Sequence, residues 1–205
     1  MVWFLNRTQT NLINTLDLRN FIDEFENFPR EGIIFRDIGP LLRNPIAWAE
    51  TITRLTDFAQ ISSADLIAGI ESRGFIVGAS LASSLGLGFV PIRKEGKLPG
   101  DVFQVSYELE YGSDKLEINK NSMKGNPKVL IADDLLATGG TAKAAGGLIK
   151  KAGGRLIGYA FIIELINLKG RENLKNSTNI YSLISYWLIF CQSRTCWYCS
   201  NVSKP

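Results

Sequence analysis

Histidine is absent from this 205-residue chain. That removes the Ser-His-Asp and Cys-His triads, imidazole acid–base work and every histidine metal site. Acid–base chemistry is left to carboxylates, Lys and Tyr. Cysteine is scarce: Cys191, Cys196 and Cys199 all fall in the last fifteen residues, so the body carries no disulfide, as in a reducing compartment. Their C-x4-C-x2-C spacing is part of an iron–sulfur pattern, but a fourth ligand is missing and that chemistry is set aside. Neither sign of charge is in excess: 23 Lys plus Arg against 20 Asp plus Glu leaves 23 − 20 = +3. That is too mild a balance for non-specific nucleic-acid binding. Long apolar runs are missing as well. Ile180 to Cys191 is interrupted by Ser182 and Ser185 and falls short of the roughly 20 residues that span a bilayer. The run at Val2 to Leu5 is too short for a signal peptide. The expectation is a cytoplasmic chain with no membrane and no nucleic-acid partner. G-x-G-x-x-G and G-x-x-x-x-G-K-[ST] are both absent, which removes the dinucleotide fingerprint and the Walker A loop.

What is present is an ordinary globular composition, 45% apolar and 21% charged, with enough residues for one well-filled core. A first helix is expected from an Asn14 cap and the spacing of Leu16, Phe21, Ile22 and Phe25, ending at Pro29 and Gly32. Gly32 to Asp37 reads as a short extended segment. Asn44-Pro45 starts a second helix whose stripe is Ile46, Ala49, Ile52, Leu55 and Phe58. From there apolar strands alternate with helices: strand Asp65 to Ile70, helix Gly74 to Leu85, strand Phe89 to Ile92, strand Lys128 to Asp133, a helix to about Lys151, and strand Leu156 to Ile163. Strands that are apolar at every position argue for a parallel sheet covered on both faces. Val102 to Tyr111 breaks the alternation. It is long, β-prone and of mixed polarity, and reads as an exposed β-ribbon or lid.

The most informative stretch runs from Val129 to Thr141. An apolar strand delivers Asp133 and Asp134 to its carboxyl end. Ala137, Thr138, Gly139, Gly140 and Thr141 follow, and then a helix begins. Backbone N–H groups and hydroxyls in such a loop surround a phosphate at a helix N-terminus. The two carboxylates suit hydroxyl groups, such as the diol of a ribose that carries the phosphate. Glu71-Ser72-Arg73-Gly74 also joins a strand to a helix. By itself it is either a second phosphate loop or a plain capping turn. Arg93, Lys94 and Lys97 follow another strand. Arg93 and Lys97 are candidates to neutralise a leaving anion, Lys94 is expected to face solvent, and a solvated basic turn is the alternative for each.

Asp133 to Thr141 resembles the phosphoribosyl-pyrophosphate signature of the type I phosphoribosyltransferases. Further blocks match in order: Gly32-Ile33-Ile34-Phe35-Arg36-Asp37-Ile38, Gly69-Ile70-Glu71-Ser72-Arg73-Gly74-Phe75, Arg93 to Gly100, Leu109-Glu110-Tyr111-Gly112, and Leu168-Lys169-Gly170-Arg171-Glu172. They extend over roughly residues 14 to 186. The expected organisation is a phosphoribosyltransferase domain at 1–186 and an unmatched extension at 187–205. The implied fold is an α/β domain, a parallel sheet of about five strands flanked by helices, with a small N-terminal hood and a β-ribbon lid. The implied reaction is adenine plus 5-phosphoribosyl 1-pyrophosphate giving AMP and pyrophosphate. The Phe-Arg-Asp-Ile and Leu-Glu-Tyr-Gly blocks are what point to adenine.

By the same resemblance Glu71, Ser72 and Arg73 hold pyrophosphate with Arg93 and Lys97, and Asp133, Asp134 and Ala137 to Thr141 hold the ribose and its 5′-phosphate. Phe35 and Leu135 sandwich the purine, and backbone groups at Ile34 and Arg36 read its edge. Glu110, beside Tyr111 on the lid, handles the proton of the attacking ring. Magnesium is expected to arrive with the substrate, held by its oxygens and by water rather than directly by the protein. A homodimer is implied too. The rival readings are an enzyme for hypoxanthine, guanine or orotate, and a non-catalytic phosphoribosyl-pyrophosphate-binding regulator. Glu110 and the lack of room for a DNA-binding module before Pro29 weigh against the regulator.

Overall fold

The computed structural model describes residues 16–109, 112–174 and 179–187. The chain divides into two compact units, Met1–Glu50 and Thr51–Pro205. In the first, a 3-10 turn, Leu18–Phe21, opens with the Asp17 carboxylate accepting from the Arg19 N–H at 3.0 Å. Strand β1, Asp23–Glu26, then pairs antiparallel with β2, Ile34–Asp37. Helix α1, Gly39–Arg43, follows, and α2, Pro45–Ile61, begins after Asn44.

The long first helix expected from Leu16 to Phe25 is not formed. Leu18 and Ile22 are buried, but Phe25 is 51% exposed, and the backbone is extended from Ile22 to Glu26. The hairpin register sets Glu24 opposite Arg36, whose Nε donates to Glu24 Oε1 at 3.1 Å. A helix through Glu24 would forfeit that pairing. Asn14, the expected cap, lies outside the described residues. The start of α2 is as expected: Asn44 Oδ1 accepts from the N–H groups of Ile46 and Ala47, both at 3.0 Å. Its buried face is rotated, however. Ala47, Thr51, Leu55 and Ala59 are buried at i, i+4 spacing with Ile52 beside them, whereas Ile46 and Ala49 are exposed.

The second unit is built on a sheet that has seven strands among the described residues, in the order β5-β6-β4-β3-β7-β8-β9. The strands are β3 Leu66–Ile70, β4 Gly88–Lys94, β5 Val102–Leu109, β6 Gly112–Asn119, β7 Lys128–Leu136, β8 Arg155–Leu165 and β9 Asn179–Tyr186. Five of them, β4-β3-β7-β8-β9, are parallel, as the apolar strands require. Helix α3, Arg73–Leu85, ends at Gly86, whose φ of +66° only glycine adopts cheaply. Helix α4, Gly140–Lys151, and a short α5, Gly170–Asn173, complete the unit. Ile92, Leu116, Ile118, Val129, Ile131, Leu148, Ile149, Tyr159 and Phe161 form one buried cluster.

Two expectations change here. The described part of the Val102 to Tyr111 segment, Val102–Leu109, is one arm of a hairpin whose other arm, Gly112–Asn119, joins the main sheet by pairing Arg93 with Glu117 and Lys94 with Leu116. Its base is not an exposed ribbon: Leu116 and Ile118 are fully buried, and Phe103 and Val105 pack on the core. The alternation of Phe103, Val105 and Tyr107 with Gln104 and Ser106 carries that signal. The second change is β9, which lies inside the interrupted apolar stretch at Ile180.

Close backbone approach fixes one glycine between β3 and α3. A Cβ on Gly69 would lie 2.5 Å from the Gly74 carbonyl oxygen and 2.8 Å from the Phe89 ring. Gly69→Ala should therefore cost about 1–3 kcal/mol, the usual range for overpacking a core. Gly147 on α4 is open to a Cβ, and Gly147→Ala should gain about 0.5–1 kcal/mol. Urea midpoints of the two variants against the parent check both signs.

Candidate active site

Strands β3 and β7 are neighbours, with Gly69 opposite Ala132. Their carboxyl ends therefore open on the same edge of the sheet, where ligands of open α/β folds bind. Each strand turns directly into a helix. Neither α3 nor α4 has a side-chain cap, and α4 starts from Gly139 at φ +82°. The first N–H groups of a helix have no carbonyl one turn earlier to bond, so each start offers donors to an anion. Between them lies a cleft of about 590 Å³ lined by Glu71, Ser72, Arg73, Lys94, Lys97, Tyr107, Asp133, Asp134 and Leu135, and by the loop Ala137 to Thr141.

Asp133 and Asp134 form the floor. Asp133 Oδ1 accepts from the Asp134 N–H at 2.9 Å, and Asp134 Oδ2 lies 2.9 Å from Arg73 Nε. A Cβ on Gly74 would meet Asp133 Oδ1 at 2.7 Å, so this carboxylate sits directly beneath the start of α3. Burial, and after it the charge of Asp134, push the Asp133 carboxyl well above its usual range. Burial raises Asp134 too, against the opposing pull of Arg73.

Glu71 gathers the cations. Its carboxylate accepts from Arg93 Nε at 3.3 Å and Nη2 at 3.2 Å, from Lys97 Nζ at 2.9 Å and from the Lys94 N–H at 3.0 Å. The Arg93 guanidinium beside it, helped by Lys97 and the Lys94 N–H against the cost of burial, lowers its pKa from 4.5 to about 2. Arg93 also donates to the Lys97 carbonyl at 3.1 Å. It braces Glu71 and the Lys97 turn and is not among the residues lining the cleft.

Lys94 is exposed, as expected, and it also lines the cleft, with Nζ 3.2 Å from Asp114 Oδ2. The Tyr107 hydroxyl donates to the same oxygen at 3.2 Å. Neither Tyr107 nor Asp114 is singled out in the sequence. The inward phase of β5 marks Tyr107, but nothing local marks Asp114.

Of the residues expected at the purine, Leu135 lines the cleft, while Ile34, Phe35 and Arg36 lie on β2 in the first unit. There Phe35 meets Phe28 edge-on, with ring centroids 5.3 Å apart. Glu110 and Tyr111 lie outside the described residues. Among the described residues no group of three or more Asp, Glu, Cys or His could hold a metal ion, and no helix is long and apolar enough to cross a membrane.

A parallel sheet with two anion-ready helix starts on adjacent strands, and paired carboxylates between them, is the plan of a phosphoribosyltransferase. The phosphoribosyl transferase domain family model matches residues 47–192, six residues beyond the expected boundary at 186. An adenine phosphoribosyltransferase of Prochlorococcus marinus (strain MIT 9303) is 55% identical over 171 residues, covering 83% of this chain and 99% of the relative. The solved adenine phosphoribosyltransferase of Thermoanaerobacter pseudethanolicus superposes with a TM-score of 0.80 at 44% identity, over 82% of this chain and 98% of that one. The Saccharomyces cerevisiae enzyme, solved with an imino-altritol bisphosphate and adenine, gives 0.78 at 44% identity, over 81% and 96%. The chain belongs to the adenine phosphoribosyltransferases.

The Glu71 cluster has a pH signature. A carboxyl whose pKa is depressed on folding adds stability that is complete above its unfolded value, 4.5, and is lost as pH falls through about 2. The stability advantage of the parent over Glu71→Gln should therefore shrink as pH falls from 4.5 towards 2. Thermal midpoints of both proteins across that window are the check. A constant gap would mean that Glu71 is not held ionised by this cluster.

Proposed function

We propose that the chain transfers the phosphoribosyl group of 5-phosphoribosyl 1-pyrophosphate to adenine, releasing AMP and pyrophosphate. The observation that carries this reading is the pair of helix starts facing one cleft with Asp133 and Asp134 between them. A substrate with phosphate at both ends of a ribose matches that spacing of donors and carboxylates. The loop Ala137 to Thr141 takes the 5′-phosphate. The floor takes the ribose hydroxyls, whose O–H groups donate to the carboxylate oxygens. Ser72, Arg73 and Lys97 face the pyrophosphate. As its bond to C1 of the ribose lengthens, negative charge grows on the leaving group and positive charge on the ring, and fixed cations favour that separation.

Glu71 draws Lys97 and Arg93 into one cluster, so these cations are in place before substrate arrives. Two floor carboxylates are too few for an all-protein cage. A magnesium ion would arrive with the substrate, held by its oxygens and by water, and when bound would neutralise charge on the pyrophosphate. Leu135 offers one apolar wall for the base, and Phe35 is its proposed partner. Glu110 is the proposed acceptor of the proton that leaves the attacking ring. The enzyme is proposed to work as a cytoplasmic homodimer.

Adenine should yield AMP in a magnesium-dependent assay, with guanine, hypoxanthine and orotate far slower. Glu110→Gln should lower turnover about 10²–10⁴-fold, the usual contribution of a general acid or base, and leave phosphoribosyl pyrophosphate binding near that of the parent. Equal turnover with another base sinks the adenine reading, and full activity in the variant removes Glu110 from the mechanism.

A further inference from the structure

The Leu168-Lys169-Gly170-Arg171-Glu172 block marks the family but has no part in the chemistry above. The structure puts it directly behind the loop Ala137 to Thr141. Gly139 and Gly170 are in backbone contact: a Cβ on Gly139 would lie 2.6 Å from the Gly170 carbonyl oxygen, and a Cβ on Gly170 would collide with the Ala137 carbonyl oxygen. Three residues on, Asn173 Nδ2 donates to the Thr138 carbonyl at 2.7 Å. Thr138 and Gly139 line the cleft, whereas Gly170 and Asn173 do not.

The two polar groups of a peptide unit are linked. A trans peptide is planar, and its C=O and N–H point in opposite directions. With the Thr138 oxygen turned back to Asn173, the N–H of Gly139 is turned the other way, into the cleft. Gly139 is the residue most in need of such a restraint, because a glycine at positive φ reorients at little steric cost. The short helix that carries Asn173 is itself anchored. Arg171 Nε and Nη2 donate to the two oxygens of buried Glu164 at 2.7 Å each, and Nη1 donates to the Ile180 carbonyl at 2.9 Å. The anchor thus runs from β8 and β9 through α5 to the loop.

We propose that Asn173 is a positioning residue for the phosphate loop, holding the Thr138–Gly139 peptide so that its N–H faces the 5′-phosphate. The inference rests on the reading of Ala137 to Thr141 as the 5′-phosphate site. Gly170 supplies the close contact, and Arg171 with Glu164 supplies the fixed base. Removing the Asn173 amide leaves every group that faces the ligand in place but frees the peptide to turn. The loss falls on ligands that carry the 5′-phosphate and spares those held at Ser72 and Arg73.

The test is calorimetric titration of the whole chain with ribose 5-phosphate and, separately, with pyrophosphate, using the parent, Asn173→Ala, Asn173→Asp and Thr141→Val. Aspartate matches asparagine in size but donates nothing to a carbonyl; because its charge also repels a phosphate, a loss counts as loss of the hydrogen bond only where the uncharged Asn173→Ala shows it too. Both Asn173 variants should weaken ribose 5-phosphate about tenfold or more, as expected for losing a hydrogen bond to a charged group. Pyrophosphate affinity should stay within about twofold of the parent, which also reports that the variants are folded. If Thr141→Val weakens ribose 5-phosphate and the Asn173 variants do not, the inference is overturned while the phosphate-loop reading stands. If none of the variants changes ribose 5-phosphate affinity, the phosphate-loop reading has failed. Equal losses for both ligands would make Asn173 a support of the whole cleft and would overturn its assignment to the loop.

Discussion

Two neighbouring carboxylates at the end of a central, buried strand are expensive to keep in one place, and the second unit is arranged around keeping them there. Strand β7 is apolar up to Ala132 and then presents Asp133 and Asp134. Adjacent carboxyls removed from water oppose each other's ionisation. The fold answers with Arg73, 2.9 Å from Asp134, and with a glycine at position 74 that lets α3 start directly over Asp133. The cation and the glycine are the first two residues of α3, directly after the Glu71-Ser72 turn. The loop proposed for pyrophosphate therefore also stabilises the floor proposed for ribose.

That dependence sets the rest of the geometry. Because β3 and β7 are adjacent and parallel, the turns that follow them lie side by side without any long connection. Because β4 is the next strand out, its end delivers Arg93 and Lys94, and the turn beyond it Lys97, to the same edge. Glu71 then draws Arg93 and Lys97 together, so that these two positive side chains occupy a small space without mutual repulsion dominating. The hairpin of β5 and β6 adds Tyr107 and Asp114, which tie Lys94 to the wall of the cleft.

Most of this was legible in the sequence where a pattern and its physical cause coincide. Fully apolar strands announced a sheet covered on both faces. The run from Asp133 to Thr141 announced the strand end, loop and helix start found there. What escaped was whatever depends on pairing rather than period. The spacing of Leu16, Phe21, Ile22 and Phe25 reads as helical, yet the chain forms a hairpin there that sets Glu24 opposite Arg36. Lys94 is the exposed lysine it reads as, but nothing local shows that β6 brings Asp114 beside its ammonium. Glu71 could not be recognised as the hub of a cation cluster, because Arg93 and Lys97 reach it from more than twenty residues away. Asn173 is invisible in the same way: its importance lies in the one carbonyl it holds.

The central claim is that the carboxyl end of β7 holds the phosphoribosyl group. A crystal structure of the chain with AMP bound tests it most directly. The account places the 5′-phosphate against the N–H groups of Gly139, Gly140 and Thr141, with the ribose hydroxyls within hydrogen-bond reach of Asp133 and Asp134. A phosphate seated instead at Ser72 and Arg73, with the two aspartates away from the ribose, would contradict it.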